Sequence, residues 1–166
     1  MIAGIVMMSS VLAPVPDVSG QELVRAIGSL RDAGYERVKT TDVSGRGRVV
    51  VLRRSWKVCA QRPAAGAAPV RERVELAVVK VGESCPVGAP EQVRPGLMPN
   101  LQGKSVRVAR RSLPGRTTVR INDATGRNRI VFWDTAWRVC TQTPAAAARL
   151  EGPVSLGVVK YGESCP

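Results

Sequence analysis

The chain has 166 residues, of which 25 are Lys or Arg and 13 are Asp or Glu, so its formal net charge is +12. An apolar fraction of 44% excludes intrinsic disorder on composition. The sequence contains no histidine, which argues against general acid–base catalysis near neutral pH. The positive charge favours an anionic partner, such as nucleic acid, a membrane surface or an anionic wall polymer, although solvated charges of an Arg-rich composition are the alternative.

The segment from Met1 to Ala13 is apolar and uncharged. It is too short to cross a bilayer as a helix, so no transmembrane span is predicted. Small residues at Val11 and Ala13 are typical of a secretory cleavage site, although a positively charged start is missing. We therefore expect residues 1–14 to be an apolar tail that is either a signal-peptide remnant or a terminus without function.

The rest of the chain consists of two repeats of one small unit. The segment Trp56–Cys59 returns as Trp137–Cys140 at an offset of 81 residues, and the pattern Lys-x-Gly-Glu-Ser-Cys-Pro ends both copies. Such a repeat predicts two similar domains, at 15–86 and 98–166, joined by a linker at 87–97 that contains Pro and Gly.

Each copy is predicted to contain one helix followed by strands. In the first copy, Ser19 and Glu22 have the spacing of a capping box, and a helix with a periodic apolar face continues to about Ala33. The strands that follow are expected at 35–41, 49–52, 56–61 and 74–81. In the second copy, the helix is expected at 104–113 and the strands at 117–122, 130–133, 137–142 and 153–161. The apolar runs at 49–52 and 130–133 are interpreted as buried strands, with Trp133 either in the core or on a surface patch.

Four cysteines lie at matching places in the two copies: Cys59, Cys85, Cys140 and Cys165. An even number at a repeated spacing in a small unit indicates disulfides, with metal ligands or free thiols as weaker alternatives. Four cysteines allow three pairings, and sequence alone does not choose among them. If each copy folds alone, only the pairing within each copy is possible.

The best candidate site is a turn that occurs in both copies, with the pattern Asp-x-(Ser/Thr)-Gly-Arg-x-Arg. Its paired arginines could bind a carboxylate or phosphate, and the two repeated tryptophans could stack on a sugar or an aromatic ligand. The candidate ligand-binding residues are Arg46, Arg48, Trp56, Arg127, Arg129 and Trp137. The competing interpretation is structural, with Asp and Gly shaping the turn and each Trp packing beside a disulfide.

A basic stripe on the second helix, formed by Lys104, Arg107 and Arg111 with Arg110 beside them, is either a solvated face or a surface that binds an anion. Ser84 and Ser164 lack a catalytic base, and no phosphate-binding or nucleophile-elbow motif occurs. The sequence therefore predicts no enzyme, no cofactor and no metal.

The order of signals in each copy resembles a PASTA domain. The first copy matches through the lead-in Val15–Gly20, the helix with Gly34 after it, Gln61–Gly66 and the strand into Gly82. The second copy matches through the lead-in 98–103, the helix residues Ala109 and Leu113, the segment 142–146 and Gly162. The cysteine pair and the Asp-to-Arg turn depart from the usual module and look like the Cys-containing variant of secreted actinobacterial proteins.

The resemblance implies an α+β protein of two tandem modules, each one helix packed on a three-stranded antiparallel sheet (α-β-β-β). It also implies a secreted, non-enzymatic protein that binds the cell wall, with peptidoglycan fragments or an anionic wall polymer as partners. The alternatives are a structural spacer without a ligand and a basic nucleic-acid-binding protein, which the low aromatic content makes less favoured.

Overall fold

A computed structural model describes residues 12–69, 72–87 and 94–166. Its contacts form two compact units, one within 1–41 and 50–85 and the other within 42–49 and 86–166. The elements of the first copy are β1 (Leu12–Val15), α1 (Leu23–Asp32), β2 (Val38–Asp42), a 3-10 turn (Arg53–Ser55), β3 (Trp56–Arg62), β4 (Gly66–Pro69) and β5 (Val74–Lys80). Those of the second copy are α2 (Val106–Ser112), β6 (Val119–Asp123), β7 (Trp137–Thr143) and β8 (Val154–Lys160). Residues 1–11 of the predicted tail and 88–93 of the predicted linker lie outside the described residues, whereas residues 12–14 of the tail belong to β1, which pairs antiparallel with β4.

The last strand of each copy lies at the centre of a three-stranded sheet. The strand orders are β2-β5-β3 and β6-β8-β7, and the central strand pairs antiparallel with β3 in the first copy and with β7 in the second. In the second sheet β6 runs parallel to β8, so the expectation of a fully antiparallel sheet is wrong there. The chain reverses once between β6 and β7 and again between β7 and β8. These two reversals give β8 the direction of β6, and the strand order places β8 between the other two strands.

Both helices bury the apolar faces that the sequence predicts, but the predicted capping box is wrong. The helix α1 begins at Leu23, its N-cap is Glu22, and no side chain caps it. Ser19 is instead held in a turn, because its N–H donates to the carboxylate of Asp17 and the next residue, Gly20, bonds to β3. In the second copy Ser105 is the cap of α2, and its hydroxyl accepts the N–H of Val108 at 3.2 Å.

The two apolar runs predicted as buried strands are not strands. In the first run, only Val50 packs against the core, whereas Val51 is 58% exposed and Leu52 is 72% exposed. These runs lie in the long connections 43–55 and 124–136, which lead from one edge of the sheet to the other. The two runs form no strand, because the final strand of each copy already occupies the central position of the sheet that they would need to fill.

One glutamine in each copy joins the lead-in to the sheet. The side-chain oxygen of Gln142 accepts the N–H of Leu101 at 2.7 Å, and its nitrogen donates to the carbonyls of Pro99 and Pro144. Gln61 makes the same three bonds in the first copy. Each amide therefore satisfies backbone groups of two separate segments that form no regular ladder with each other.

The disulfides are Cys59–Cys85 and Cys140–Cys165, which confirms the pairing within each copy. The cysteines of each bridge are separated by 26 and 25 residues, and their Cα atoms lie 5.5 and 5.6 Å apart. In the chain-entropy model, a loop of this size stabilises each unit by about 3 kcal/mol. Among the described residues, no helix is long and apolar enough to cross a membrane.

One pair of facing residues in β7 and β8 has complementary side-chain sizes. This pair gives a test of the register in which the two strands are aligned. Thr141 lies opposite Gly157 in the second sheet, whereas Ala60 lies opposite Ala77 at the matching place in the first. A Cβ added at Gly157 would overlap the hydroxyl oxygen of Thr141. We expect Gly157→Ala to destabilise the protein by about 1 kcal/mol, because the β-branched threonine has little freedom to move aside.

The same change should cost nothing, or should stabilise the protein, when Thr141→Ala is already present, because that pair reproduces the first copy. Urea denaturation of the wild type, both single variants and the double variant measures the coupling. An equal effect of Gly157→Ala in both backgrounds would show that the side chains do not face each other.

Candidate functional site

The turn 123–129 is closed by an ion pair between its first and last residues. The buried carboxylate of Asp123 accepts Arg129 Nε at 2.7 Å and Nη2 at 3.0 Å, and its second oxygen also accepts the Arg129 backbone N–H at 3.3 Å. Thr125 donates its N–H and its hydroxyl to the same carboxylate. The carboxylate therefore organises the whole turn, as an aspartate does when it bonds to the backbone two residues on.

The turn 42–48 repeats this arrangement. Asp42 accepts Arg48 Nε at 2.8 Å, the Arg48 backbone N–H at 2.9 Å and the Ser44 N–H at 3.0 Å. Left-handed backbone recurs at the position before the closing arginine, at Gly47 with φ 64° and at Asn128 with φ 52°. Glycine and asparagine are the residues that adopt this conformation at least cost, which explains why either one occurs there.

Glu163 extends the cluster of the second copy. Its carboxylate accepts Arg129 Nη1 at 2.8 Å and Nη2 at 2.9 Å, so that arginine lies between two carboxylates. Glu163 also accepts the backbone N–H of Lys160 at 3.0 Å, and its own carbonyl accepts Arg138 Nη2 at 2.5 Å. Glu163 is not among the site residues predicted from the sequence, although the repeated Gly-Glu-Ser-Cys segment is a signal that could have found it.

The ionisation of these groups follows from their hydrogen bonds. The Arg129 guanidinium, followed by the backbone N–H of Lys160, lowers the pKa of Glu163 from 4.5 to about 2. Arg129 likewise holds the pKa of Asp123 well below its ordinary value, against the effect of burial. Burial raises the pKa of Asp42, but the bonds from Arg48 and Ser44 together lower it below its ordinary value. All three carboxylates are therefore negative at neutral pH.

The four arginines predicted to bind an anion differ in how far their guanidinium groups are already engaged within the fold. Arg48 and Arg129 are committed to the carboxylates of their own turns. Arg46 lies over the ring of Tyr161, with its Cζ 4.3 Å from the ring centroid, and both residues belong to the second unit. Arg127 is the most open of the four: its side chain is 67% exposed and reaches Glu163 only at 3.5 Å.

The repeated tryptophans lie inside the cores. Trp56 is 1% exposed and Trp137 is 3% exposed, so the structure presents neither ring to a sugar or an aromatic ligand. Lysine and arginine lie against their faces, with Lys80 4.4 Å from the Trp56 centroid and Arg129 4.9 Å from that of Trp137. These contacts favour the packing interpretation, because the ring faces are already covered.

An exposed apolar run lies close to the ion-pair cluster. Phe132 and Trp133 line an open depression of about 370 Å³ together with Arg107, Asp134 and Thr135. Trp133, which is predicted to lie either in the core or on a surface patch, is on the surface and 69% exposed. Among the described residues, no group of three His, Cys, Asp or Glu side chains could hold a metal ion.

No family model matches this sequence, and no curated protein matches it. Among solved structures, the entire extracellular region of the Ser/Thr kinase PrkC from Staphylococcus aureus is similar, with a TM-score of 0.34 and 16% sequence identity. The likeness covers 91% of this chain, which spans about half (48%) of that one. A TM-score this low does not assign a fold, and the architecture described above follows from the chain's own contacts.

The lowered pKa of Glu163 predicts a pH dependence of stability. A carboxyl whose pKa is lower in the folded state stabilises the protein above its unfolded value of 4.5, and this contribution is lost as pH falls toward about 2. We expect Glu163→Gln to lower the free energy of unfolding at pH 7 and to flatten its fall over that window. Urea denaturation followed by tryptophan fluorescence at each pH measures both effects.

Glu151→Gln is the matched control, because Glu151 also pairs with an arginine but its side chain is 75% exposed. Exposed ion pairs contribute little to stability, so the control curve should follow that of the wild type. An unchanged slope for Glu163→Gln would show that Arg129 does not hold the glutamate in solution.

Proposed function

We propose that the chain is a non-enzymatic, extracytoplasmic binding protein of PASTA-like repeats that associates with the cell wall. The proposed partners are peptidoglycan fragments or an anionic wall polymer. Two disulfides, each closing one copy, support a location outside the cytoplasm, because such bridges persist in oxidising compartments. The proposed domains remain 15–86 and 98–166.

The observation that carries this proposal is the fate of the acidic residues in the second copy. Residues 98–166 contain 11 basic and 4 acidic residues, and every one of the four acids pairs with an arginine. All four acids are thus engaged by arginines of the same copy, and the excess of basic residues gives this copy a net charge of +7. Such a surface attracts polyanions and raises their local concentration.

Arg127 is the residue proposed to make a specific contact with the anionic partner on this positively charged copy. It lies in the turn ordered by Asp123, and its guanidinium is exposed while that of Arg129 is occupied. A mostly open guanidinium on an ordered turn can bind a carboxylate or phosphate in two-pronged fashion without reorganising the fold.

The two alternatives make different predictions. A spacer without a ligand requires no exposed arginine at all and predicts no binding to walls. A nucleic-acid-binding protein would use the same charge but would bind nucleic acid with a steep salt dependence and would be indifferent to wall material.

The test is co-sedimentation of the oxidised chain with insoluble cell walls, intact or stripped of anionic polymers, at low and physiological salt. Arg127→Gln should weaken binding about tenfold, as expected for the loss of charge-assisted hydrogen bonds. Arg149→Gln is the matched control, because it removes one charge from a side chain that is 84% exposed elsewhere in the same copy.

Binding that survives physiological salt and depends on Arg127 more than on Arg149 supports specific recognition. Equal losses in the two variants, with binding abolished by salt, would reduce the interaction to general charge attraction. If neither wall preparation sediments the protein, the wall-binding proposal is wrong and the spacer alternative stands.

A further inference from the structure

Side chains alternate between inward and outward over 129–132, and Trp133 also points outward. Arg129 and Val131 face the cluster and the core, whereas Ile130, Phe132 and Trp133 are 73%, 79% and 69% exposed. Single apolar residues on a surface are ordinary, but three large ones within four positions form a patch that water solvates poorly. We name Ile130, Phe132 and Trp133 the apolar tip.

The exposure of the apolar tip is fixed by anchors on both sides. Arg129 is held by two carboxylates, and Val131 packs into the core. After the tip, the carbonyl of Trp133 accepts the N–H of Ala136 at 2.8 Å, and the carbonyl of Asp134 accepts the N–H of Arg107 at 3.2 Å. The tip side chains therefore cannot turn inward unless several of these contacts break.

The first copy has the same pattern with smaller side chains. Arg48 is held by Asp42 and Val50 packs against the core, whereas Val49, Val51 and Leu52 are 66%, 58% and 72% exposed. An outward apolar triplet after the Asp-to-Arg turn is thus a property of the repeated unit. In the second copy two of its three members are aromatic.

Arginines of α2 lie on the side of the apolar tip that faces the helix. Arg107 lines the same depression as Phe132 and Trp133, and Arg110 pairs with Asp134 at 3.3 Å. Arg111 is exposed in the last turn of α2. Association of two copies of the chain through the tip would bring like charges together, whereas an anionic surface would be attracted to it.

We propose that the apolar tip, with Arg107 and Arg111, docks on the surface of a lipid bilayer that carries anionic headgroups. Tryptophan prefers the boundary between headgroups and acyl chains, where its ring is buried and its N–H stays hydrated, and phenylalanine adds buried apolar area. The arginines lie at the level of the headgroups, and each adds attraction to anionic lipid. Shallow apolar insertion together with a basic surface is the combination that holds peripheral proteins on membranes.

This surface is distinct from the proposed wall site, because it uses the loop beyond Arg129 and the face of α2 rather than Arg127. Either the wall-binding proposal or the membrane-docking proposal can therefore be disproved without affecting the other. Vesicles contain no wall material, and a variant of the apolar tip keeps the charge on which wall binding depends.

The test uses the oxidised full chain and large vesicles of phosphatidylcholine, either pure or mixed in equal parts with phosphatidylglycerol. The chain has three tryptophans, and Trp56 and Trp137 are buried, so a blue shift of fluorescence on binding reports on Trp133. We expect sedimentation with the mixed vesicles, a blue shift, and quenching of that fluorescence by brominated lipid. Pure phosphatidylcholine should bind at least tenfold more weakly.

Three double variants distinguish the contribution of apolar insertion to vesicle binding from the contribution of charge attraction. Phe132→Ser with Trp133→Ser should weaken binding to mixed vesicles at least tenfold, because the inserted area is lost. Arg107→Gln with Arg111→Gln should weaken it about fivefold for each arginine and reduce its salt dependence. The matched control is Val24→Ser with Val81→Ser, which removes two side chains that are 51% and 52% exposed elsewhere and should leave binding unchanged.

Circular dichroism and thermal denaturation must show each variant folded, and the quenching of wild-type fluorescence is independent of any variant. Binding that persists in the tip variant, or binding without a blue shift, would overturn the proposal in favour of charge attraction alone. Absence of binding to mixed vesicles would overturn it as well. So would a dimer of the free protein that the tip substitutions dissociate, since the occupant would then be a second copy.

Discussion

The ion pair that closes the Asp-to-Arg turn is the interaction on which the exposed surface of this protein depends. Asp123 and Arg129 bring two positions six residues apart together, and Asp42 and Arg48 do the same in the first copy. Both carboxylates are shielded from water, so the arginine stabilises a charge that would otherwise be costly to bury. The closed turn determines where the following residues begin, and hence which of them face the solvent.

The topology explains why such a closure is needed. Because the final strand occupies the centre of the sheet, the chain must pass from β6 to β7 around the end of β8. This connection, 124–136, is long and has no ladder of its own, so its backbone groups and side chains must be held by local bonds. Asp123, Glu163 and the N-terminal turn of α2 supply those bonds. The result is an ordered loop that displays apolar and basic side chains next to each other.

The charged side chains of the second copy differ in role: some form ion pairs within the fold, and others face the solvent. The acids of the second copy are all engaged by arginines, and the arginine excess remains for external contacts. Arg127 and Arg129 illustrate this division within one turn, since one guanidinium is open and the other lies between two carboxylates. The proposed wall contact and the proposed membrane contact use different parts of this surplus, so one chain could associate with both layers of an envelope.

The sequence by itself determined the duplication, the matching positions of the four cysteines, the apolar helix faces and the strands that contain each Trp-x-Val-Cys segment. These features depend on local periodicity and on an internal repeat, both of which are visible without a fold. Only the tertiary structure decided the fate of the arginines, the tryptophans and the apolar runs. An arginine in a turn looks the same whether its carboxylate partner is a ligand or Asp123, and the partnership of Glu163 with Arg129 spans 34 residues. Likewise, Ile130 to Trp133 has the composition of a buried strand, but β8 fills the place that such a strand would need.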